Sequence, residues 1–303
     1  MMMHRHMKLI MLAAAFAGAG ALEKRVALVT GGNKGIGKEI ARKLCSIPGM
    51  TVVLACRDGE LGTTAATELA TSVWPPPRRA DVEYVRLDLT DAASIRHSSE
   101  FITKEHGQLD VLINNAAVCF NDPTLYGKVP FTPFEAQAAI TMDTNFHGTL
   151  AVTQAMLPLL RKSTSPRIIN IASSAGRLRG SDELIETITS PSLTMESLEE
   201  RMREFVSDAE AGVHLKKGWP NTCYGVSKMG LIAMTRIIAR DEPKIMVNSV
   251  DPGYAATDQN QHQGYVSAER AARTPVLLAD LPEDDFVSGS HFFDEREISW
   301  AYQ

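Results

Sequence analysis

Hydrophobic positions along this chain fall into two alternating rhythms. Apolar, β-branched runs at Val26–Thr30, Thr51–Cys56, Val82–Leu87, Leu109–Ile113, Arg167–Ala172 and Ile245–Val250 predict buried strands. Between them the apolar residues take helical spacing. The first such stretch runs to about Ile47, with Ile36, Ile40 and Leu44 on one face. Others cover Leu61–Ser72, a stretch from the N-cap Asp91 to about His106, a long one from about Thr132 to Arg161, Tyr224–Arg240 and Ser267–Leu278. A last short strand is expected near Val287–Phe293. Strands that are apolar throughout and alternate with helices predict an α/β fold. The expectation is a doubly wound, Rossmann-type parallel sheet of seven strands, covered on both faces.

One polar segment, Gly176 to Asn221, breaks the alternation and separates the fifth strand from its helix. It holds a helical stretch, Met195–Glu210, but no second core, so it reads as an insert within one domain spanning residues 23–303. The first 22 residues stand apart. His4, Arg5, His6 and Lys8 precede an apolar run, Leu9 to Leu22, that is too short for a membrane span. A basic start, an apolar middle and the small residues Ala17, Ala19 and Ala21 have the layout of a secretory signal peptide. A plain N-terminal extension is the other reading. The extension implies a cytoplasmic protein; the targeting segment implies a secretory or organellar one.

Composition narrows the function classes. The net charge of −5 and the lack of a basic stripe argue against nucleic acid as a partner. Four scattered cysteines without a C-x-x-C pair argue against a metal site or a disulfide framework.

Candidate chemistry begins after the first strand, in TGGNKGIG, Thr30 to Gly37. A strand, a glycine turn and a helix N-terminus present backbone N–H groups and the positive end of a helix dipole to an anion. The spacing of Gly31, Gly35 and Gly37 differs from G-x-G-x-x-G. Gly32, Gly37 and Lys38 nearly complete a nucleoside triphosphate loop, but Glu39 stands where that loop needs a hydroxyl for Mg²⁺. A plain strand-to-helix turn accounts for the same residues.

Further along, Tyr224 and Lys228 in YGVSK share one helix face. A cation one turn from a phenol lowers its pKa from about 10 and eases proton exchange. A surface Tyr–Lys pair would look the same. Ser173, with Ser174 beside it, ends the fifth strand in IINIASSAG, at the edge where such sheets bind ligands. Asn114 and Asn115 end the fourth strand at the same edge, and Asn145 in TNFHG places an amide inside the long helix. Singly, each has an ordinary structural explanation.

Together, the glycine turn, NNAA, TNFHG, the Ser173 strand and YGVSK resemble the short-chain dehydrogenase/reductase family in order and spacing. The resemblance runs from about Glu23 to the C-terminus and is strongest to the carbonyl reductases of that family. The stretch FVSDAEAGVHLKKGWPNTCYGVSK is similar to the insert of its monomeric members. The resemblance implies hydride transfer from NADPH to the carbonyl of an aldehyde, ketone or quinone. Tyr224 is then the general acid, Lys228 lowers its pKa and bonds the nicotinamide ribose, Ser173 holds the carbonyl oxygen, and Asn145 positions a relay water. It also implies that Gly31, Asn33, Lys34, Gly35, Ile36 and Gly37 cradle the cofactor. Asp88 and Leu89 would face the adenine, Asn114 would lie along the cofactor, and Pro252, Gly253 and Thr257 in DPGYAATD would close over the nicotinamide.

The second strand ends in Cys56 and Arg57, where an NAD-binding fold would carry an acid for the ribose hydroxyl. Arg57 and Lys34 suit a 2′-phosphate, which points to NADPH, although Asp58 follows directly. Three positions depart from the family pattern: Ala117 replaces a glycine, Asp251 a cysteine and Tyr254 a tryptophan. These changes make the pocket more polar and bear on substrate range. The insert is expected to cover the surface through which many relatives pair, giving a monomer. Two other functions fit the pattern: a catalytically silent NADPH-binding regulator, and an NAD(P)-dependent alcohol or steroid-type dehydrogenase.

Overall fold

The computed structural model describes residues 24–72, 80–120 and 130–301. The candidate targeting segment and the run from Pro75 to Arg79 lie outside the described residues. Eight strands form one sheet: β1 (Arg25–Thr30), β2 (Met50–Cys56), β3 (Asp81–Arg86), β4 (Val111–Asn114), β5 (Arg167–Ile171), β6 (Met246–Asp251), β7 (His291–Phe293) and β8 (Arg296–Ile298). Their order is β3-β2-β1-β4-β5-β6-β7-β8, parallel from β3 to β7. This is the doubly wound Rossmann arrangement.

The eighth strand corrects the expected seven. β8 returns antiparallel on β7 through Asp294 and Glu295, both at positive φ. Three residues of mixed charge, RE followed by Ile298, carry no strand rhythm of their own, so only pairing with β7 reveals them.

Side chains alternate between two apolar layers because strand neighbours point to opposite faces. Leu28, Val53, Leu112, Ile168 and Val247 face one layer; Val29, Leu54, Ile113, Ile169 and Val250 face the other. The second layer is closed by α1 (Gly35–Leu44), α2 (Gly59–Thr71) and a pair of short C-terminal helices. It includes Ile40 and Leu44, the residues whose spacing predicted a helix, with Leu69 and Leu278. The first layer is closed by α3 (Ala92–Glu105), the long helical rod and, beyond it, α8 (Cys223–Asp241). Asp91 caps α3 by accepting from Ala93 and Ser94 N–H at 2.9 and 3.3 Å, as its position predicts.

The long helix is interrupted. It runs as α4 (Phe134–Met142), a π-helical segment Asp143–Gly148, then α5 (Thr149–Leu160). Helical periodicity cannot reveal one extra residue per turn, but such bulges recur at functional sites. The C-terminal helix expected at Ser267–Leu278 is likewise two pieces, α9 (Ala268–Ala271) and α10 (Arg273–Ala279).

The insert holds two helices, α6 (Asp182–Thr189) and α7 (Met195–Glu210). Only α7 had been legible in the sequence. It packs on α4 and α8. Leu198, Met202 and Phe205 are fully buried there. Phe205 meets Trp219 edge-on at 5.3 Å, and the indole N–H of Trp219 donates to Asp208 at 3.0 Å. Burial of side chains this size is worth about 1.5–3 kcal/mol each, so α7 is an integral wall on those helices.

Candidate active site

β1 and β4 are neighbours whose chain connections run to opposite sides of the sheet, and the crevice at their carboxyl ends is where such folds bind ligands. The glycine turn fills one wall of it. Gly31 and Gly35 hold φ of +63° and +54°, a region costly for any side chain. At Gly37 the constraint is space: a Cβ would lie 2.3 Å from the Gly31 carbonyl oxygen and 2.5 Å from Asn115 Nδ2. The turn is stitched to β4 by Thr30 and Asn115. The Thr30 hydroxyl oxygen accepts from the N–H groups of Asn115 and Ala116 at 2.9 and 3.0 Å. The Asn115 amide donates to the carbonyls of Thr30 and Gly31 at 2.9 and 3.3 Å.

No side chain caps the N-terminus of α1, and its first turn holds no acid. Its leading N–H groups are therefore left for an anion. Lys34 sits at that N-cap and pairs with Asp258 at 3.2 Å. Both groups are more than half exposed, so the pair is worth at most about 1 kcal/mol and yields readily to a phosphate. Arg57 is exposed just beyond β2. Asp58 caps α2 by accepting from Leu61 N–H at 2.9 Å. Its carboxylate serves that helix, which answers its closeness to Arg57 in sequence. Asp88 Oδ1 accepts from the backbone and hydroxyl of Thr90. Burial works to raise this carboxyl, but the Thr90 bonds and the nearby Arg57 and Arg86 hold it below the usual range. The uncapped helix, the space without Cβ atoms and the two cations fit a phosphorylated dinucleotide.

Two expected cofactor contacts turn inward. Asn114 donates through Nδ2 to Thr153 Oγ1 at 3.0 Å and to Asn170 Oδ1 at 2.8 Å, and Asn170 donates on to Thr235 Oγ1 at 2.8 Å. This buried ladder joins β4 and β5 to the helices on one face. Leu89 belongs to the core, with its carbonyl against Gly148 of the π segment, where a Cβ would come within 2.5 Å. Asn33 and Ile36 are half-buried in the turn, Ile36 packing on the α1 layer.

Within the π segment, the Asn145 side chain is fully engaged. It accepts from Val118 N–H at 2.8 Å and donates to Val118 O at 2.9 Å and to Ser227 Oγ at 3.1 Å. The loop after β4 is thereby tied to α8. Tyr224 opens α8, half-buried, behind the N-cap Thr222, whose hydroxyl accepts from Gly225 N–H at 3.0 Å. Lys228 is buried one turn on, with Nζ 5.5 Å from the Tyr224 ring centroid and donating to Ile171 O at 2.7 Å. Burial lowers its pKa to about 8, with the Cys119 thiol opposing.

Ser173 follows β5 and caps a short turn, Ser174–Gly176, by accepting from Ala175 N–H at 3.1 Å. That turn is pressed onto α8. A Cβ on Gly176 would lie 2.6 Å from the Lys228 carbonyl carbon, and one on Gly225 would lie 2.8 Å from Ala175 O. Ser173, Tyr224 and Lys228 thus converge where β5 meets α8, and the exposed Ser174 stays outside that turn's cap.

The loop after β6 closes the far side. Gly253 takes φ +73°, and Thr257 meets Gly35, whose Cβ would stand 3.3 Å from the threonine methyl. Pro252 and Asp251 line a cavity beneath it. Ser227, which receives the Asn145 amide, was not singled out by residue type, and its place within YGVSK is the signal that could have found it. Cys119 has no such signal; only the fold carries it to Lys228.

The chain matches the family described as short chain dehydrogenase over residues 25–183. It is 40% identical to "Carbonyl reductase (NADPH) 1" of Homo sapiens over 284 residues, 90% of this chain and 97% of that protein. The Mus musculus protein of the same name is 39% identical over equal shares. Among solved structures, salutaridine reductase from Papaver somniferum superposes with a TM-score of 0.78 at 32% identity, covering 89% of this chain and all of that one. Menthone neomenthol reductase from Mentha piperita gives 0.77 at 33% identity, covering 90% of this chain and 99% of the other.

Proposed function

The chain belongs to the short-chain dehydrogenase family, and on that premise we propose that it reduces aldehyde, ketone or quinone carbonyls to alcohols with NADPH. The observation that carries this reading is the convergence of Ser173, Tyr224 and Lys228 beside an uncapped, cation-flanked helix N-terminus. Bound NADPH supplies the hydride. Gly31, Asn33, Lys34, Gly35, Ile36 and Gly37 would hold its phosphates, and Arg57 with Lys34 would read the 2′-phosphate by charge. Asp88, Leu89, Asn114, Pro252, Gly253 and Thr257 would complete its binding.

Ser173 Oγ donates to the substrate carbonyl oxygen and polarises it. The Tyr224 hydroxyl gives that oxygen a proton as general acid. Lys228, protonated below about pH 8, stabilises the phenolate left behind. The Asn145 amide is committed to Val118 and Ser227, so a relay water there rests on main-chain groups that the π segment releases from the regular ladder.

Residues 23–303 act as one domain in this reading, with 1–22 as an extension of a cytoplasmic protein. Among the described residues no helix is long and apolar enough to cross a membrane. The packing of α7 on α4 and α8 supports a monomer. The test is a steady-state assay with NADPH and a panel of quinones, ketones and aldehydes. Wild type that turns over no faster than Tyr224→Phe overturns the enzyme reading and leaves the silent regulator.

A further inference from the structure

β8 pairs antiparallel with β7 and ends at Ile298; two residues later the Trp300 side chain is only 6% exposed. Its ring joins the apolar layer that α8 closes. The guanidinium of Arg236, on α8, stands 5.7 Å from the ring centroid.

Trp300 holds the segment after β5 at two points. Its indole N–H donates to the carbonyl of Gly176 at 2.8 Å, and its own carbonyl accepts from Leu178 N–H at 3.3 Å. The indole bond is buried and joins residues 124 positions apart in the chain. Buried polar groups of this kind need a partner, so each group in that bond depends on the other.

Gly176 closes the turn that Ser173 caps. Its N–H donates to Ser173 O at 2.9 Å, and Ala175 N–H donates to Ser173 Oγ at 3.1 Å. The direction of the serine hydroxyl is thereby tied to the path of the turn. On one side the turn is seated on α8, where a Cβ on Gly176 would lie 2.6 Å from the Lys228 carbonyl carbon. That packing limits how close the turn comes to α8, but apolar contact has no direction. The indole bond does have one, and it sets how the peptide after Gly176 is turned.

We propose that Trp300 is a positioning residue for Ser173. Its indole N–H fixes the Gly176 peptide, and through the turn it aims the serine hydroxyl at the substrate carbonyl. Trp300 acts through the main chain and not on the reacting atoms. The short β8 strand is what delivers it there. This inference rests on the reductase reading above.

The test is steady-state turnover of an ortho-quinone with NADPH, beside NADPH binding by cofactor fluorescence, in wild type, Trp300→Phe, Ser173→Ala and the double variant. Trp300→Phe keeps an aromatic ring and removes the N–H. Its kcat is expected to fall about tenfold at unchanged NADPH affinity, because a misaimed group costs rate and not cofactor binding. In the Ser173→Ala background the same substitution should cost less than about twofold, since the group it aims is gone. A wild-type kcat in Trp300→Phe overturns the proposal. A loss that persists undiminished beside Ser173→Ala, or an equal fall in NADPH affinity, also overturns it, because either one marks a general loosening of the fold. If Trp300→Phe does not fold, replacing the Trp300 indole by benzothiophene decides, since this keeps the shape and exchanges N–H for sulfur. A lowered kcat in that protein supports the proposal, and a wild-type kcat overturns it. A wild type no faster than Tyr224→Phe, by contrast, sinks the reductase reading.

Discussion

Substituting Gly37 by alanine adds one methyl group at the tightest point of the dinucleotide turn. Its Cβ would lie 2.3 Å from the Gly31 carbonyl oxygen, about 1 Å short of ordinary contact. That oxygen is backbone and cannot swing aside. The Cβ would also lie 2.5 Å from Asn115 Nδ2, whose bonds to Thr30 O and Gly31 O measure 2.9 and 3.3 Å. Overpacking of this kind costs about 1–3 kcal/mol, and displacing the amide from a carbonyl costs about 1 kcal/mol more. If the turn opens to relieve the clash, its N–H groups no longer converge on the phosphates. The sum, about 2–4 kcal/mol, corresponds to a loss of NADPH affinity of about 30- to 700-fold. Fluorescence titration with NADPH below the melting temperature measures it. Gly107→Ala is the control. Gly107 has φ +78° with no heavy atom within 4 Å of its would-be Cβ, so alanine there strains the backbone by about 1–2 kcal/mol without a clash. It should lower Tm and leave NADPH affinity unchanged. An affinity in Gly37→Ala equal to wild type refutes the close-approach argument.

Three further outcomes are expected. Tyr224→Phe should lower kcat by about a hundredfold or more while NADPH binding persists, measured by steady-state turnover and fluorescence side by side. Lys34→Ala combined with Arg57→Asp should shift the ratio of kcat/KM for NADPH over NADH towards NADH; an unmoved ratio removes these cations from the 2′-phosphate. The third concerns pH. Burial depresses Lys228 from 10.5 to about 8, so between those values the unfolded chain binds more protons than the folded one. Unfolding free energy should therefore gain from this group as pH rises from about 8 to 10, by at most about 1.4 kcal/mol per unit, and Lys228→Met should lack that increment in urea denaturation.

Much of the candidate site is legible in the sequence. Gly31 to Gly37 declared a phosphate turn because helix N-termini and glycines do that work locally. Tyr224 and Lys228 declared a pair because a four-residue step fixes their face on a helix. Other residues have partners that only the packing shows. Asn145 read as an amide tolerated within a regular helix, whereas it stands in a π segment and braces Val118 and Ser227. The Asn114 amide nitrogen is engaged by Thr153 and Asn170 and the Leu89 side chain packs in the core, neither of which strand or turn spacing encodes. Asp58 follows Arg57 in the chain, and its carboxylate is turned to the N-terminus of α2, where it accepts from Leu61 N–H.

The sequence by itself determined what depends on near neighbours in the chain: the alternating strands and helices, the cap at Asp91, the glycine turn and the shared face of Tyr224 and Lys228. Periodicity and capping are interactions over a few residues, so they are written locally. Tertiary structure alone decided what depends on residues far apart. It seated Gly176 on α8, laid α7 over α4 and α8, and brought the Asn145 amide to Val118 and Ser227. Those contacts arise because the sheet brings distant strand ends to a common edge, and no spacing along the chain encodes which side chains meet there.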